Sequence, residues 1–133
     1  MKSLNVVLTQ LTIWRKQHAG NTAKRCLEAV RWACAQEGLR LPWRPWPWNT
    51  ALGCLSVLKK SPEKYGWVRA QRVDGKLPSP CLVFYDRCGK LADGRTAGHI
   101  AVYRNGQHYS NAVYQHNDWW EARVAGAFVP ISR

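Results

Sequence analysis

The hydrophobic period changes once along this chain, near Trp67, and that change limits the fold more than any other feature. Before it, apolar residues recur at helical spacing. Leu4, Val7, Leu8, Leu11 and Trp14 fall on one face, with Ser3 as cap and Gly20 as stop. Ala23, Cys26, Leu27, Val30, Ala33 and Cys34 make a second face, capped by Asn21 or Thr22 and ended by Gly38 and Pro42. A short third helix is expected in NTALGCLSVLKK, capped by Asn49 or Thr50. After Trp67 the runs become strand-like: WVRAQRV, PCLVFYD, two runs around Asn105-Gly106 in GHIAVYRNGQHYSNAVYQ, and VAGAFVPI after a short NDWWEA turn or helix. Helices first and strands second predict an α+β domain, with N-terminal helices packed on a small antiparallel sheet. A length of 133 residues suits one domain over residues 1–133.

Between the two halves lies LPWRPWPWNT. Its three prolines and three tryptophans in ten residues exclude a helix interior or a central strand, so an extended surface segment is expected.

Composition enters through charge. Twenty Lys and Arg against eight Asp and Glu give a formal charge of +12, which selects for polyanionic partners and says nothing of fold. No apolar run is long enough to span a bilayer. The start, MKSLNVVLTQLTIW, is interrupted by Asn5, Thr9, Gln10 and Thr12, and no small-residue cleavage site follows. It does not read as a signal peptide, so synthesis in a cytosol without an ordinary export signal is expected. Five cysteines form no C-x-x-C pair, and an odd number does not look like a disulfide framework. A Cys81–Cys88 bridge is one option; otherwise Cys34, Cys54, Cys81 and Cys88 read as structural thiols. Neither a metal nor a cofactor is expected.

Cys26 lies near the start of the second helix, where the helix dipole, Lys24 and Arg25 favour a thiolate and apolar burial opposes it. A histidine partner would decide the balance. His18 suits the end of the first helix, His116 lies in a polar turn, and His108 lies on the hairpin. His99 opens a strand, with Gly98 before it and apolar residues after it, which holds an imidazole rigidly and lets another element approach. Taken singly, each of Cys26 and His99 is also compatible with a core position.

The order RCLEAVRWACAQEGLRLP, then CLVFYD, then GHIAVYRNG resembles the NlpC/P60 and CHAP families of papain-like cysteine peptidases, over roughly residues 20–112. The Gly38-Leu39-Arg40-Leu41-Pro42 stretch stands where those families end the nucleophile helix. The resemblance implies a papain-like domain with Cys26 as nucleophile and His99 as base. It also implies hydrolysis of peptide or amide bonds of bacterial peptidoglycan. Two positions depart from the pattern: Arg25 replaces the usual acidic or polar residue before the cysteine, and Pro80-Cys81 replaces Gly-Asp. The oxyanion role therefore falls to backbone N–H groups at the helix start.

A third residue should orient the imidazole. A two-residue Asn105-Gly106 loop opposes Tyr103 to His108 and puts His99 on one face with Ser110 and His108. A three-residue loop opposes His99 to Asn111. Asn111 is the preferred third residue, because an amide oxygen is the better acceptor, and Ser110 the alternative. Trp43, Trp46 and Trp48 follow the nucleophile helix and would bind substrate along the cleft or simply cover the core; Trp119 and Trp120 read as core cover.

These expectations describe a monomer made in the host cytoplasm and acting at peptidoglycan after release, most simply a small phage endolysin. A secreted antibacterial amidase would look the same. An anionic outer or inner membrane surface is a second surface for the tryptophans. Two other classes compete. One is a basic non-catalytic module for wall polymer or nucleic acid, although the peptidase reading expects no nucleic acid. The other is a metal-dependent nuclease using His99, His108, His116 and Asp118.

Overall fold

The computed structural model describes residues 3–132. Three helices come first: α1 (Leu4–Gln17), α2 (Cys26–Gln36) and α3 (Ala51–Lys60). A 3-10 turn, Pro62–Tyr65, leads into β1 (Trp67–Arg69) and β2 (Cys81–Tyr85). Then come β3 (His99–Arg104), β4 (Gln107–Tyr109), β5 (Val113–Gln115), the single-turn helix α4 (Asp118–Glu121) and β6 (Val124–Pro130). The strands form one sheet in the order β1-β6-β2-β3-β4-β5, every pair antiparallel.

The expected α1 face is buried, and so are Val30, Ala33 and Cys34 of the second face, whereas Cys26 and Leu27 are half-buried and Ala23 is exposed in the turn before α2. Leu4, Val7, Leu8, Leu11 and Trp14 are all buried, and the Ser3 hydroxyl accepts from the Asn5 N–H. Thr50 caps α3 by accepting from Gly53 N–H at 3.0 Å. The three helices lie against Leu82, Phe84, Ile100, Val102 and Phe128 of the sheet. Cys81, Val83, Tyr85 and Ala101 form a second cluster on the other side, covered by Leu77, Trp120 and Val124. Every residue of β2 is therefore buried, which explains its unbroken apolar sequence.

Four expectations change. The second helix begins at Cys26 with Arg25 as its cap, instead of at Asn21 or Thr22. Lys24 takes a left-handed backbone (φ 61), which interrupts the helical run just before the cysteine. WVRAQRV keeps only three residues as strand, and the GHIAVY…AVYQ segment yields three strands instead of two because the chain turns at Ser110–Ala112. Trp120 covers the core as expected, but Trp119 is half exposed. Cys81 and Cys88 remain free thiols.

Candidate active site

Arg25 braces the turn before Cys26. Its guanidinium pairs with Glu28, donates to the Asn21 carbonyl at 2.8 Å and lies 5.2 Å over the Trp14 ring. It makes no side-chain cap on α2. The N–H groups of the first turn thus stay uncommitted to a cap, and Cys26 is the first helical residue, where those donors converge.

The α2 helix packs on β3. The Cys26 sulfur consequently lies at the backbone N–H of Ile100, the residue after His99, and at the N–H groups of Leu27 and of Cys26 itself. Burial pushes the thiol pKa up, and these three donors oppose it. Cys26 and His99 line one cleft of about 400 Å3, together with Lys24, Cys88, Lys90, Tyr114 and Trp120.

Gly98 sets the start of β3. A Cβ there would meet Leu52 Cγ at 2.5 Å and the Tyr85 carbonyl at 2.8 Å, and its φ is +76. Only glycine lets α3 close onto the strand that carries His99.

His99 is 8% exposed and faces the rings of Tyr85, His108, Tyr114 and Trp120 at 5.2–5.9 Å between centroids. This box removes water, and burial pushes the imidazole pKa down to about 4. Residue alternation in the sequence announces His108 and Ser110 on this face. It gives no sign of Tyr114 or Trp120, which arrive from β5 and α4 after the break in the ladder.

The hairpin settles the register. Arg104 opposes Gln107 and Tyr103 opposes His108, with Asn105 (φ 50) and Gly106 (φ 80) as a two-residue turn. The alternative that opposes Asn111 to His99 is not formed. The Ser110 hydroxyl lies 3.3 Å from His99 Nε2. Asn111 stands one step behind it: Ser110 Oγ lies 2.9 Å from Asn111 Oδ1, and Asn111 Nδ2 donates to the Thr22 carbonyl at 2.9 Å.

This chain of bonds assigns a proton. The Thr22 carbonyl can only accept, so the Asn111 amide nitrogen faces it and Oδ1 faces Ser110. The Ser110 hydroxyl must then donate to Oδ1, and its oxygen accepts from Nε2–H of His99. The imidazole lone pair is left on Nδ1. Both Ser110 and Asn111 are buried, and Arg15 Nη1 of α1 holds the Ser110 carbonyl at 3.0 Å.

The other histidines have separate surroundings. His18 stacks on Trp14 and contacts the Trp14 carbonyl through Nδ1 at 2.8 Å. His116 Nδ1 lies 2.8 Å from the Tyr85 hydroxyl, with Nε2 on Glu121. His108 is fully buried and stacks on Tyr114, and neither ring nitrogen has a hydrogen-bond partner among the described residues. Burial, with His99 and His116 nearby, pushes it down to about 3. Among the described residues, no three His, Cys, Asp or Glu side chains converge as metal ligands, so His99, His108, His116 and Asp118 do not form a site.

The tryptophans divide. Gly53 lets the chain pass, since a Cβ there would lie 1.9 Å from the Trp48 carbonyl oxygen. Trp43 lines a groove of about 680 Å3 that runs from Cys26 along α2, and Trp46 lines an adjoining depression with Arg95. Trp48 lines neither and lies under Arg44 at 5.2 Å.

No family model matches the chain, and no curated protein matches it. A solved structure does. It is a chain of the crystal structure of the type VI native effector-immunity complex Tae3-Tai3 from Ralstonia pickettii, 18% identical, with a TM-score of 0.59 over 94% of this chain and 98% of that chain. At that identity the likeness shows a shared α+β fold.

Proposed function

We propose that the protein is a papain-like cysteine peptidase or amidase that hydrolyses amide or peptide bonds in the stem peptides of bacterial peptidoglycan. Cys26 is the nucleophile, His99 the base, and Ser110, backed by Asn111, the group that orients the imidazole. The observation that carries this reading is one cleft lined by a helix-start cysteine and a histidine whose free lone pair is assigned to Nδ1. That tautomer is the one a base needs when Nε2 is already engaged.

In the proposed reaction Sγ adds to the substrate carbonyl carbon while its proton passes to Nδ1. Charge collects on the carbonyl oxygen beside the first-turn N–H groups of α2. The amine leaves with the proton from Nδ1, and a water assisted by the same nitrogen hydrolyses the thioester. Trp43 and Trp46 flank the groove that would hold the rest of the substrate.

The likeness to a chain of an effector-immunity complex favours an antibacterial effector over a phage endolysin. It also adds a protein partner to the expected peptidoglycan. The +12 charge suits an anionic wall in either setting.

The test is incubation of purified protein with sacculi, with and without EDTA, beside Cys26→Ala and His99→Ala variants, followed by mass spectrometry of the released muropeptides. Release by the native protein alone, insensitive to EDTA, is expected. Full activity of Cys26→Ala, or loss with EDTA alone, would overturn the reading. No release by any form would favour a binding module.

A further inference from the structure

Two lysines flank the cleft that holds Cys26 and His99. Lys24 comes from the turn before α2 and Lys90 from the loop after β2, so they approach from different elements. Among the described residues no carboxylate lines this cleft: its other residues are thiols, glycines, Leu91, Ala97, His99, Asn111, Tyr114 and Trp120. Neither lysine has an ion-pair partner among the described residues, whereas Arg25 is paired with Glu28 and Arg95 with Asp93. Lys24 also borders the larger groove along α2.

The backbone at Lys24 adds an independent observation. Its φ of 61 is left-handed, a conformation that costs a lysine about 1 kcal/mol or more relative to glycine. The left-handed residue precedes the start of α2, and Lys24 lines the cleft from there. A glycine would meet the backbone requirement without strain, but it would supply no cation.

We infer that Lys24 and Lys90 form a carboxylate subsite, and that the preferred substrate is a peptide bearing a free carboxylate close to the scissile amide. Two ammonium groups lining one cleft from different elements would hold one carboxylate by charge-assisted hydrogen bonds, with Tyr114 and Trp120 walling the apolar part of the residue. This subsite rests on the proposed hydrolase reading and names the substrate class for it.

The experiment uses two probes: purified muropeptides with free stem carboxylates, and the same muropeptides with those carboxylates converted to amides. Binding is measured with the Cys26→Ala protein by calorimetry, and turnover with the native protein. The free-carboxylate probe should bind about tenfold tighter, with the difference in KM more than in kcat. The Lys24→Met/Lys90→Met pair should erase that preference; lysine and methionine, both unbranched at Cβ, bear similar strain at position 24, so the change removes the charge. Lys60→Met, at the exposed end of α3, should keep it and thereby separate a local site from general attraction to a +12 surface. Equal binding of the two probes, or a preference that survives the double substitution, overturns the subsite. Carboxylate-selective binding without turnover by the native protein would leave the subsite standing and defeat the hydrolase reading.

Discussion

Replacing Ser110 by alanine removes one hydroxyl from a buried position and tests the assignment of the His99 proton. The lost contact is 3.3 Å long, at the weak end for an N–H···O bond, so its own net worth is roughly 1 kcal/mol. The larger cost is the Nε2–H left facing rings with no acceptor, about 1–3 kcal/mol. The Nδ1–H tautomer relieves that cost, and in it Nδ1 cannot take the thiol proton. Together these set the expected loss in kcat at about 10- to 100-fold, with KM changed less than about twofold. Initial rates on purified muropeptides measure the first quantity, and 15N shifts of the His99 ring nitrogens report the tautomer directly. Asn111→Asp provides the contrast. A carboxylate still accepts from Ser110, so the tautomer should persist while the lost donor to Thr22 lowers stability. If Ser110→Ala keeps full kcat and an Nε2–H imidazole, the tautomer is set elsewhere and Asn111 serves only to anchor the Thr22 turn.

Other expectations follow from the same geometry. Alkylation of Cys26 by iodoacetamide should be slow at pH 7 and rise only above pH 9, without the plateau between pH 5 and 8 that a thiolate–imidazolium pair would give, because burial raises the thiol and lowers the imidazole. Gly98→Ala should lose about 3 kcal/mol or more in urea unfolding, since its Cβ would overlap Leu52 and Tyr85 at a left-handed backbone. Trp43→Ala should raise KM several-fold, on the order of 1 kcal/mol of lost contact, while Trp48→Ala, outside both grooves, should not. His108, held down to about 3, leaves the folded state with fewer bound protons than the unfolded chain between pH 6.5 and 3. Stability therefore falls as pH drops through that window, by about 2 kcal/mol from pH 6.5 to 5 for this residue; urea midpoints of His108→Phe should show a shallower pH slope.

What the sequence made legible follows from which interactions are local. The α1 face, the cap at Thr50 (one of the two expected caps) and the two-residue Asn105-Gly106 turn (one of the two expected registers) depend on residues a few positions apart, and each is formed. Ser110 and His108 on the His99 face follow from that turn alone. The start of α2 was misplaced because Asn21 and Thr22 are good caps by type, whereas Arg25 holds the turn through Glu28 and through Trp14, eleven positions back in the chain. Asn111 was preferred as acceptor on chemical grounds that are sound, yet its amide is committed to Ser110 and to Thr22, 89 positions away. Tyr114 and Trp120 reach His99 only because the chain leaves the ladder at Ser110–Ala112, and nothing in the pattern of apolar residues marks that departure.

The ring box around His99 also decides how the proposed chemistry can run. An ion pair between Cys26 and His99 must move a proton from a thiol that burial pushes up to an imidazole that burial pushes down to about 4. Both shifts favour the neutral pair, a thiol beside a neutral imidazole. Nucleophilic attack then requires that negative charge pass from sulfur to the substrate oxygen as the proton moves. The donors that make this possible are the uncapped N–H groups at the start of α2, available because Arg25 turns away to Glu28 instead of capping the helix.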